Sequence, residues 1–407
     1  MHLLTETEIV SQRQEDPGRV GRRMVVGVTS SQTCLVLKGR LRALREAGFA
    51  VTLVASPGPL LVACAETEGV EAVAIPMERD LAPFGDLVSF IRLLGLLWRI
   101  RPEITDFSTP KAGLLGTVAA WMVGVRWRVY TLRGLKLQGV RGWKQRLLLW
   151  AERMSARCAH VVLCNSSSLR DDALALGVAP EAKLRLLGDG SSNGVDLERF
   201  SPGTTSLGAG EAMRRRLGIG MDEPVVGFVG RLTRDKGVPE LVAAFEKVLK
   251  KEPRAWLLLV GWMDAAEDAL PDALRRRIAG HSRVISTGYV AKVEEYYRAM
   301  DLMVLPTHRE GFPNAVLEAS ACGVPVVTTD STGARDAVLP ELTGFVVPPK
   351  NPEAIVEAVL KLLGDKELRT RMGAAGRAFV EEKYPQALVL GLVVEFYLSL
   401  GLSVANR

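Results

Sequence analysis

Histidine is scarce in this chain of 407 residues, with four in all, and the five cysteines (Cys34, Cys64, Cys158, Cys164, Cys322) form no C-x-x-C pair. A zinc site or a disulfide framework is therefore disfavoured, and reduced, mostly buried thiols are expected. Long apolar runs are missing too. The longest candidates, 87–100 and 112–125, reach about 14 residues against the 18 or more of a membrane span, and Arg92 and Arg99 interrupt the first. Residues 1–22 lack the apolar core of a secretory signal; polar and containing Pro17-Gly18, they are expected to form a flexible tail. Neither the phosphate-loop pattern nor a proper G-x-G-x-x-G occurs, which disfavours an ATPase or a dinucleotide oxidoreductase.

What is present is an ordinary globular composition, 48% hydrophobic and 24% charged, long enough for two domains of about 200 residues. The net charge of +6 is unevenly spread: between Arg92 and Arg157, 13 lysines and arginines face only Glu103, Asp106 and Glu152. The same span carries Trp98, Trp121, Trp127, Trp143 and Trp150. A basic, tryptophan-bearing face suits an anionic membrane surface or a polyanionic substrate. The blander reading is that half of these tryptophans are core. Any membrane association would be peripheral, and no nucleic-acid partner is expected.

Strand-like and helix-like segments alternate in two runs, which implies an α/β fold with parallel sheets and ligands at the carboxyl ends of the strands. The first run has strands at 24–28, 50–55, 72–75, 104–107, 129–132 and 161–164, with helices expected at 35–47, 84–100, 111–124, 142–156 and 166–176. A Gly/Ser/Pro-rich break at 189–222 reads as a linker. The second run has strands at 225–229, 256–260, 284–286, 302–305 and 324–328. Helices are expected at 238–250, 271–279, 292–300 and 314–322, and the chain beyond Pro352 is helical almost throughout.

The most informative segment is His308-Arg309-Glu310-Gly311-Phe312-Pro313-Asn314-Ala315-Val316-Leu317-Glu318-Ala319. Pro313 suits the first turn of a helix that Gly323 and Pro325 close. Glu310 then lies on the loop at that helix's positive end, with Glu318 one to two turns inside. Free amides at a helix start hold phosphate or an oxyanion, and two carboxylates beside them accept hydrogen bonds from sugar hydroxyls. A capped helix with a buried glutamate is the competing reading. A second element, Gly227-Phe228-Val229-Gly230-Arg231-Leu232-Thr233-Arg234-Asp235-Lys236-Gly237, follows a strand and opens a helix. Its glycines allow close approach, and Arg231 and Lys236 can neutralise a diphosphate.

With these residues the chain resembles the retaining glycosyltransferases of family 4, marked by two glutamates at the spacing of Glu310 and Glu318. The surrounding Gly323-Val324-Pro325, the pair in Gly230-Arg231…Lys236-Gly237, and Asn193-Gly194-Val195-Asp196 with Phe200 also match. The resemblance covers nearly everything from residue 24. It implies a GT-B fold: an acceptor-binding Rossmann-like domain at 23–200, a donor-binding one at 201–385, a cleft between them, and a helix at 386–407 crossing back near Phe396 and Tyr397. It implies that Arg231 and Lys236 hold the donor diphosphate, Glu310 the sugar, and Glu318 the ribose. Gly311, Phe312, Pro313, Asn314 and Ala315 would line the sugar–phosphate junction, and Gly288, Tyr289 and Val290 the base.

Ser108-Thr109-Pro110-Lys111 and Tyr130-Thr131-Leu132-Arg133-Gly134 resemble enzymes extending capsule, O-antigen and exopolysaccharide chains. Many of these have histidines where Ser108 and Arg133 stand. Thr29-Ser30-Ser31-Gln32-Thr33 replaces their glycine-pair loop. Acceptor-side roles thus fall to Ser30, Ser108, Thr109, Lys111 and Arg133. The implied reaction moves a hexose or N-acetylhexosamine, with retention, from a nucleotide sugar with uridine as the expected base. The acceptor is a polyprenyl-diphosphate-linked or other glycan, at the inner face of the cytoplasmic membrane. No cofactor is expected, and the absence of D-x-D pairs from the donor segments implies no metal requirement. A UDP-sugar 2-epimerase of the same fold and a non-catalytic sugar-nucleotide-binding subunit are the alternatives.

Overall fold

The chain is described by a computed structural model covering residues 9–11, 21–78, 81–203, 208–263 and 268–402. It divides into two compact units: one runs to Asn193 and takes the chain back from Ala387, the other is Gly194–Gln386.

The first unit is built on β1 (Ile9–Ser11), β2 (Arg22–Gly27), β3 (Phe49–Ala55), β4 (Glu71–Ala74), β5 (Ile104–Ser108), β6 (Trp127–Leu132), β7 (Val161–Cys164) and β8 (Leu184–Leu186). Its helices are α1 (Arg40–Glu46), α2 (Pro59–Glu68), α3 (Pro83–Ile100), α4 (Pro110–Met122), α5 (Trp143–Cys158) and α6 (Ser167–Ala175). The sheet order is β1-β4-β3-β2-β5-β6-β7-β8, parallel except where β1 meets β4. Strands such as β3, Phe-Ala-Val-Thr-Leu-Val-Ala, are apolar almost throughout because helices cover both faces. Period two sorts their side chains: Met24 and Val26 enter one hydrophobic cluster and Val25 the opposite one.

The second unit has β9 (Val225–Val229), β10 (Trp256–Val260), β11 (Val284–Ser286), β12 (Leu302–Leu305), β13 (Val326–Thr329) and β14 (Gly344–Val347), all parallel. Its helices are α7 (Ala209–Leu217), α8 (Val238–Val248), α9 (Asp272–Gly280), α10 (Val293–Tyr297), α11 (Asn314–Ala321), α12 (Pro352–Gly364) and α13 (Lys366–Lys383). The order β11-β10-β9-β12-β13-β14 is the doubly wound Rossmann order, reversing direction between β9 and β12. The first unit reverses likewise between β2 and β5. The last helix, α14 (Gln386–Leu402), returns to the first unit, where Val393, Tyr397 and Leu400 pack in the cluster of Met24 and Val26.

Several expectations need correction. The helix expected at 35–47 is a tight turn, Ser31–Leu37, followed by α1, because Gly39 adopts φ +79° and breaks the ladder. The stretch expected as a linker, 189–222, contains α7. Within the expected tail, Ile9–Ser11 pairs with β4; residues 1–8 and 12–20 of that tail lie outside the described residues. Pro313 stands just before α11 as its cap residue, one position earlier than expected.

Candidate active site

In the second unit, chemistry gathers at the switch point, where neighbouring helices depart in opposite directions and leave a crevice at the strand ends. Three glycines open it. Gly230 follows β9 with φ +152°, Gly261 follows β10 with φ +143°, and Gly288 follows β11 with φ +69°. Any Cβ at Gly261 would run into the carbonyl of Gly230, so the two segments touch backbone to backbone. The amides of Gly230, Leu232 and Arg234 donate to the carbonyls of Val260, Trp262 and Asp268, fixing the Arg231–Gly237 loop. Gly237 (φ +72°) closes it where a Cβ would strike the Pro306 carbonyl at the end of β12.

The loop is organised around Asp235, which sequence reasoning did not single out. Its buried carboxylate accepts from Thr233 Oγ1 at 2.5 Å and from Arg309 Nη2 at 3.2 Å, with Arg231 Nη2 at 3.8 Å. Burial opposes the charge, but Lys236, the Thr233 hydroxyl, Arg309 and Arg231 together hold the group below its usual value. Asp235 thus orients two guanidiniums on one edge. Lys236 Nζ bonds Glu310 Oε1, and both side chains are about five-sixths buried, at 15% and 16% exposure. The Glu310 amide donates to the Thr332 carbonyl at 3.0 Å, and a Cβ at Gly333 (φ +74°) would meet the Gly311 carbonyl. Glu310 is therefore held by backbone contacts on either side of its loop.

Beyond it, α11 begins at Asn314, whose Oδ1 is buried without a partner among the described residues; the Val316 amide donates to the Pro313 carbonyl at 3.1 Å, and those of Asn314 and Ala315 precede the helix's own acceptors. Phe312 and Pro313 are buried, whereas Asn314, Ala315 and Glu318 are half-buried. Glu318 accepts from the hydroxyl of the fully buried Tyr297 at 2.8 Å, and Tyr297 packs edge-on to Phe200. Gly261 pairs with Gly288, bringing the exposed Tyr289 against Trp262; Val290 packs on the core behind. Asp235 thus links Arg231 and Arg309, while Lys236 and Glu310, the chain neighbours of Asp235 and Arg309, bond each other. Glu318 sits on α11, bonded to Tyr297 of α10. Asp235, Arg309 and Trp262 were missed because their sequence neighbours do not mark them: the first two look like ordinary charged loop residues and the third like an apolar residue just past a strand.

The first unit places the other residues at its own switch point. Thr29 Oγ1 and Thr109 Oγ1 are 2.6 Å apart, and the Ala112 amide donates to Thr29 Oγ1 at 3.1 Å. Thr109 adopts φ +72°, which is strained for a non-glycine residue. Ser30 lies alongside, its hydroxyl 2.9 Å from that of Thr33. Arg133, just after β6, donates from Nε to Ser108 Oγ (3.1 Å) and from Nη1 to Ser192 Oγ (3.0 Å). Lys111 does not join them; its Nζ bonds Asp86 on α3 at 2.6 Å.

On the helical layer formed by α3, α4 and α5, one face of α3 carries Phe84, Leu87, Val88, Ile91 and Trp98 in the open, with Phe84 89% exposed. That spacing follows a helix face. Trp121 and Met122 are exposed on α4, and Trp143, Leu147 and Trp150 on α5. Arg92, Arg99, Arg141, Lys144 and Arg146 belong to the same segments. Of the five tryptophans in this span only Trp127 is half-buried, so the reading that half are core is wrong.

Residues 210–379 match the family described as glycosyl transferases group 1, and residues 38–190 match the glycosyl transferase 4-like domain. The chain is 35% identical over 362 residues to the capsular polysaccharide biosynthesis glycosyltransferase CapM of Staphylococcus aureus, covering 89% of this chain and 93% of that one. It is 25% identical to an Escherichia coli UDP-Gal:alpha-D-GlcNAc-diphosphoundecaprenol alpha-1,3-galactosyltransferase, over 74% of this chain and 77% of that one. Among solved structures, HepE of Anabaena in complex with UDP-glucose superposes with a TM-score of 0.76 at 18% identity, covering 93% of this chain and all of that one.

Proposed function

The chain belongs to the group 1 glycosyl transferases, with their GT-B fold of Rossmann-like units, and from that premise we propose its donor, acceptor and mechanism. A hexose or N-acetylhexosamine passes from a UDP-sugar to a lipid-linked glycan, with retention, during synthesis of a cell-surface polysaccharide. The observation that carries this is the cationic edge of Arg231, Lys236 and Arg309 around Asp235, with Glu310 bonded to Lys236 and the amides of α11 beyond it. A diphosphate and the sugar attached to it match that sequence of groups. The CapM and galactosyltransferase relatives support the acceptor class.

In this reading Arg231 and Lys236 bind the diphosphate, Glu310 takes the sugar hydroxyls and Glu318 the ribose, while Tyr289 and Trp262 flank the base. The bond from the anomeric carbon to the phosphate oxygen breaks as that to the acceptor hydroxyl forms, and the hydroxyl proton passes to the departing phosphate. Fixed cations stabilise the charge that develops there, so we assign the reaction no metal. The exposed apolar and basic helices α3 to α5 are read as the face that rests on an anionic membrane; among the described residues no helix is long and apolar enough to cross one.

The deciding experiment offers the purified protein a panel of nucleotide sugars with polyprenyl-diphosphate GlcNAc and weighs the products. A lipid one sugar heavier, with UDP released only when acceptor is present, supports the proposal. Interconversion of the nucleotide sugar without acceptor, or binding with no product on any acceptor, overturns it.

A further inference from the structure

Beneath the strand ends of the first unit, the described residues set two guanidiniums beside one carboxylate. Arg40 and Asp106 are buried at 2% and 1% exposure, and Arg40 Nη2 lies 3.0 Å from Asp106 Oδ2. The same carboxylate also accepts from Tyr397 at 2.8 Å and from Thr131 at 2.6 Å, so both of its oxygens are engaged. Arg133 is a second guanidinium in this cluster, yet its hydrogen-bond partners, Ser108 and Ser192, are neutral hydroxyls. Burial and then the charge on Arg40 lower Arg133 to about 10, which leaves it protonated at neutral pH. Two guanidiniums therefore share one carboxylate. Arg133 Nη2 and Arg40 Nε are buried with no hydrogen-bond partner among the described residues. A buried charged donor left unsatisfied is costly, and a planar guanidinium with a spare N–H fits an oxyanion.

We propose that Arg133, backed by Arg40 and flanked by Ser108 and Ser192, is an oxyanion site for a phosphate of the lipid-linked acceptor. The inference rests on the acceptor class proposed above and assigns the group that holds its charged end. Location supports it. Arg133 follows β6 and bonds Ser108 at the end of β5, beside the Thr29–Thr109 pair of the switch point. Lys111, in the first turn of α4, is bonded to Asp86 in the first turn of α3. The exposed apolar stripe starts at Leu81, just before α3, and runs through Phe84 and Leu87 in the helix. One end of the unit thus offers an apolar strip and, near it, an uncompensated guanidinium, the two chemistries of a prenyl diphosphate. Arg133 as a whole residue is half-buried, with Nε and Nη1 fixed on Ser108 and Ser192.

Calorimetry on the full chain tests this, with farnesyl diphosphate as the probe and farnesol and UDP as comparisons. Farnesyl diphosphate is expected to bind the natural protein at least tenfold more tightly than farnesol does. Arg133→Gln should remove that difference, and Arg133→Lys should retain part of it, with UDP affinity unchanged in both. Thermal midpoints near that of the natural protein establish that each variant is folded; should the glutamine variant unfold, the lysine variant decides. Equal binding of farnesyl diphosphate by the natural protein and Arg133→Gln overturns the proposal, as does displacement of the probe by UDP, which would make the anion the nucleotide's. A protein that binds the probe through Arg133 but transfers no sugar refutes the functional reading while leaving this site standing.

Discussion

Replacing Glu310 by glutamine separates two effects that a simple loss of activity would merge. Lys236 is paired with Glu310. A diphosphate arriving at Lys236 must share the ammonium with that carboxylate and accept its repulsion. Across about 6 Å, at an effective dielectric constant of about 20 to 40, one carboxylate repels one phosphate charge by roughly 1.5–3 kcal/mol. The lower end, taken because a hydrated nucleotide brings solvent that screens the pair, corresponds to about tenfold in affinity. Glu310→Gln should therefore bind UDP about 5- to 10-fold more tightly. Transfer should move the other way, because the carboxylate that orients the sugar is gone; a loss of about 100-fold or more in turnover is expected by analogy with oxyanion donors. Titration calorimetry with UDP and steady-state turnover at saturating donor measure the two, and Lys236→Met, which should weaken both, is the control. UDP affinity that is unchanged or lower in Glu310→Gln would refute the competition on which this rests.

Other expectations concern the scaffold and the surface. Glu152, buried on α5 and accepting from Tyr130 at 2.5 Å, is pushed up by burial to about 7 from an ordinary 4.5. A folded-state value above the unfolded one means that this group's contribution to stability is fully present below pH 4.5 and is lost as pH rises through 7. The loss is about 3 kcal/mol, and Glu152→Gln should recover most of it at pH 8 and flatten the profile, as urea melts at pH 5 and 8 would show. Gly237→Ala places a methyl on the Pro306 carbonyl at a left-handed position, so about 1–3 kcal/mol of stability and most UDP affinity should go together. If melting and calorimetry find neither changed, the loop does not depend on that contact. Phe84→Ser with Trp98→Ser should cut partitioning onto phosphatidylglycerol vesicles at least tenfold without altering the melting temperature, since both side chains lie in the open. Sedimentation of the double variant with vesicles as readily as the natural protein would remove α3 from the membrane reading.

Local pattern carried much of the architecture. The strands at 161–164, 225–229, 256–260, 284–286 and 302–305 lie where the apolar runs place them, because a strand covered on both faces must be apolar along its length. Short or atypical pieces escaped: α2, β1, β8 and β14 have too few residues or too mixed a composition for periodicity to register, and α7 hides in a stretch rich in glycine and serine. The split at Gly39 depends on a backbone angle that glycine permits but does not announce.

By itself, the sequence determined that there are two runs of α/β units, that Glu310 precedes a helix start, that Arg231 and Lys236 occupy a loop after a strand, and that basic and tryptophan residues crowd into 92–157. Such features depend on neighbours a few residues apart, where periodicity and turn chemistry operate. Tertiary structure alone decided that Lys236 meets Glu310, that Asp235 binds Arg309, that Tyr397 reaches Asp106, and that Arg133 ends beside Arg40 without a carboxylate of its own. It also decided which side of α3 remains in the open. Charge pairing inside a fold joins residues tens to hundreds of positions apart. Whether a given charge is compensated depends on what the completed packing brings beside it, and no local stretch of sequence records that.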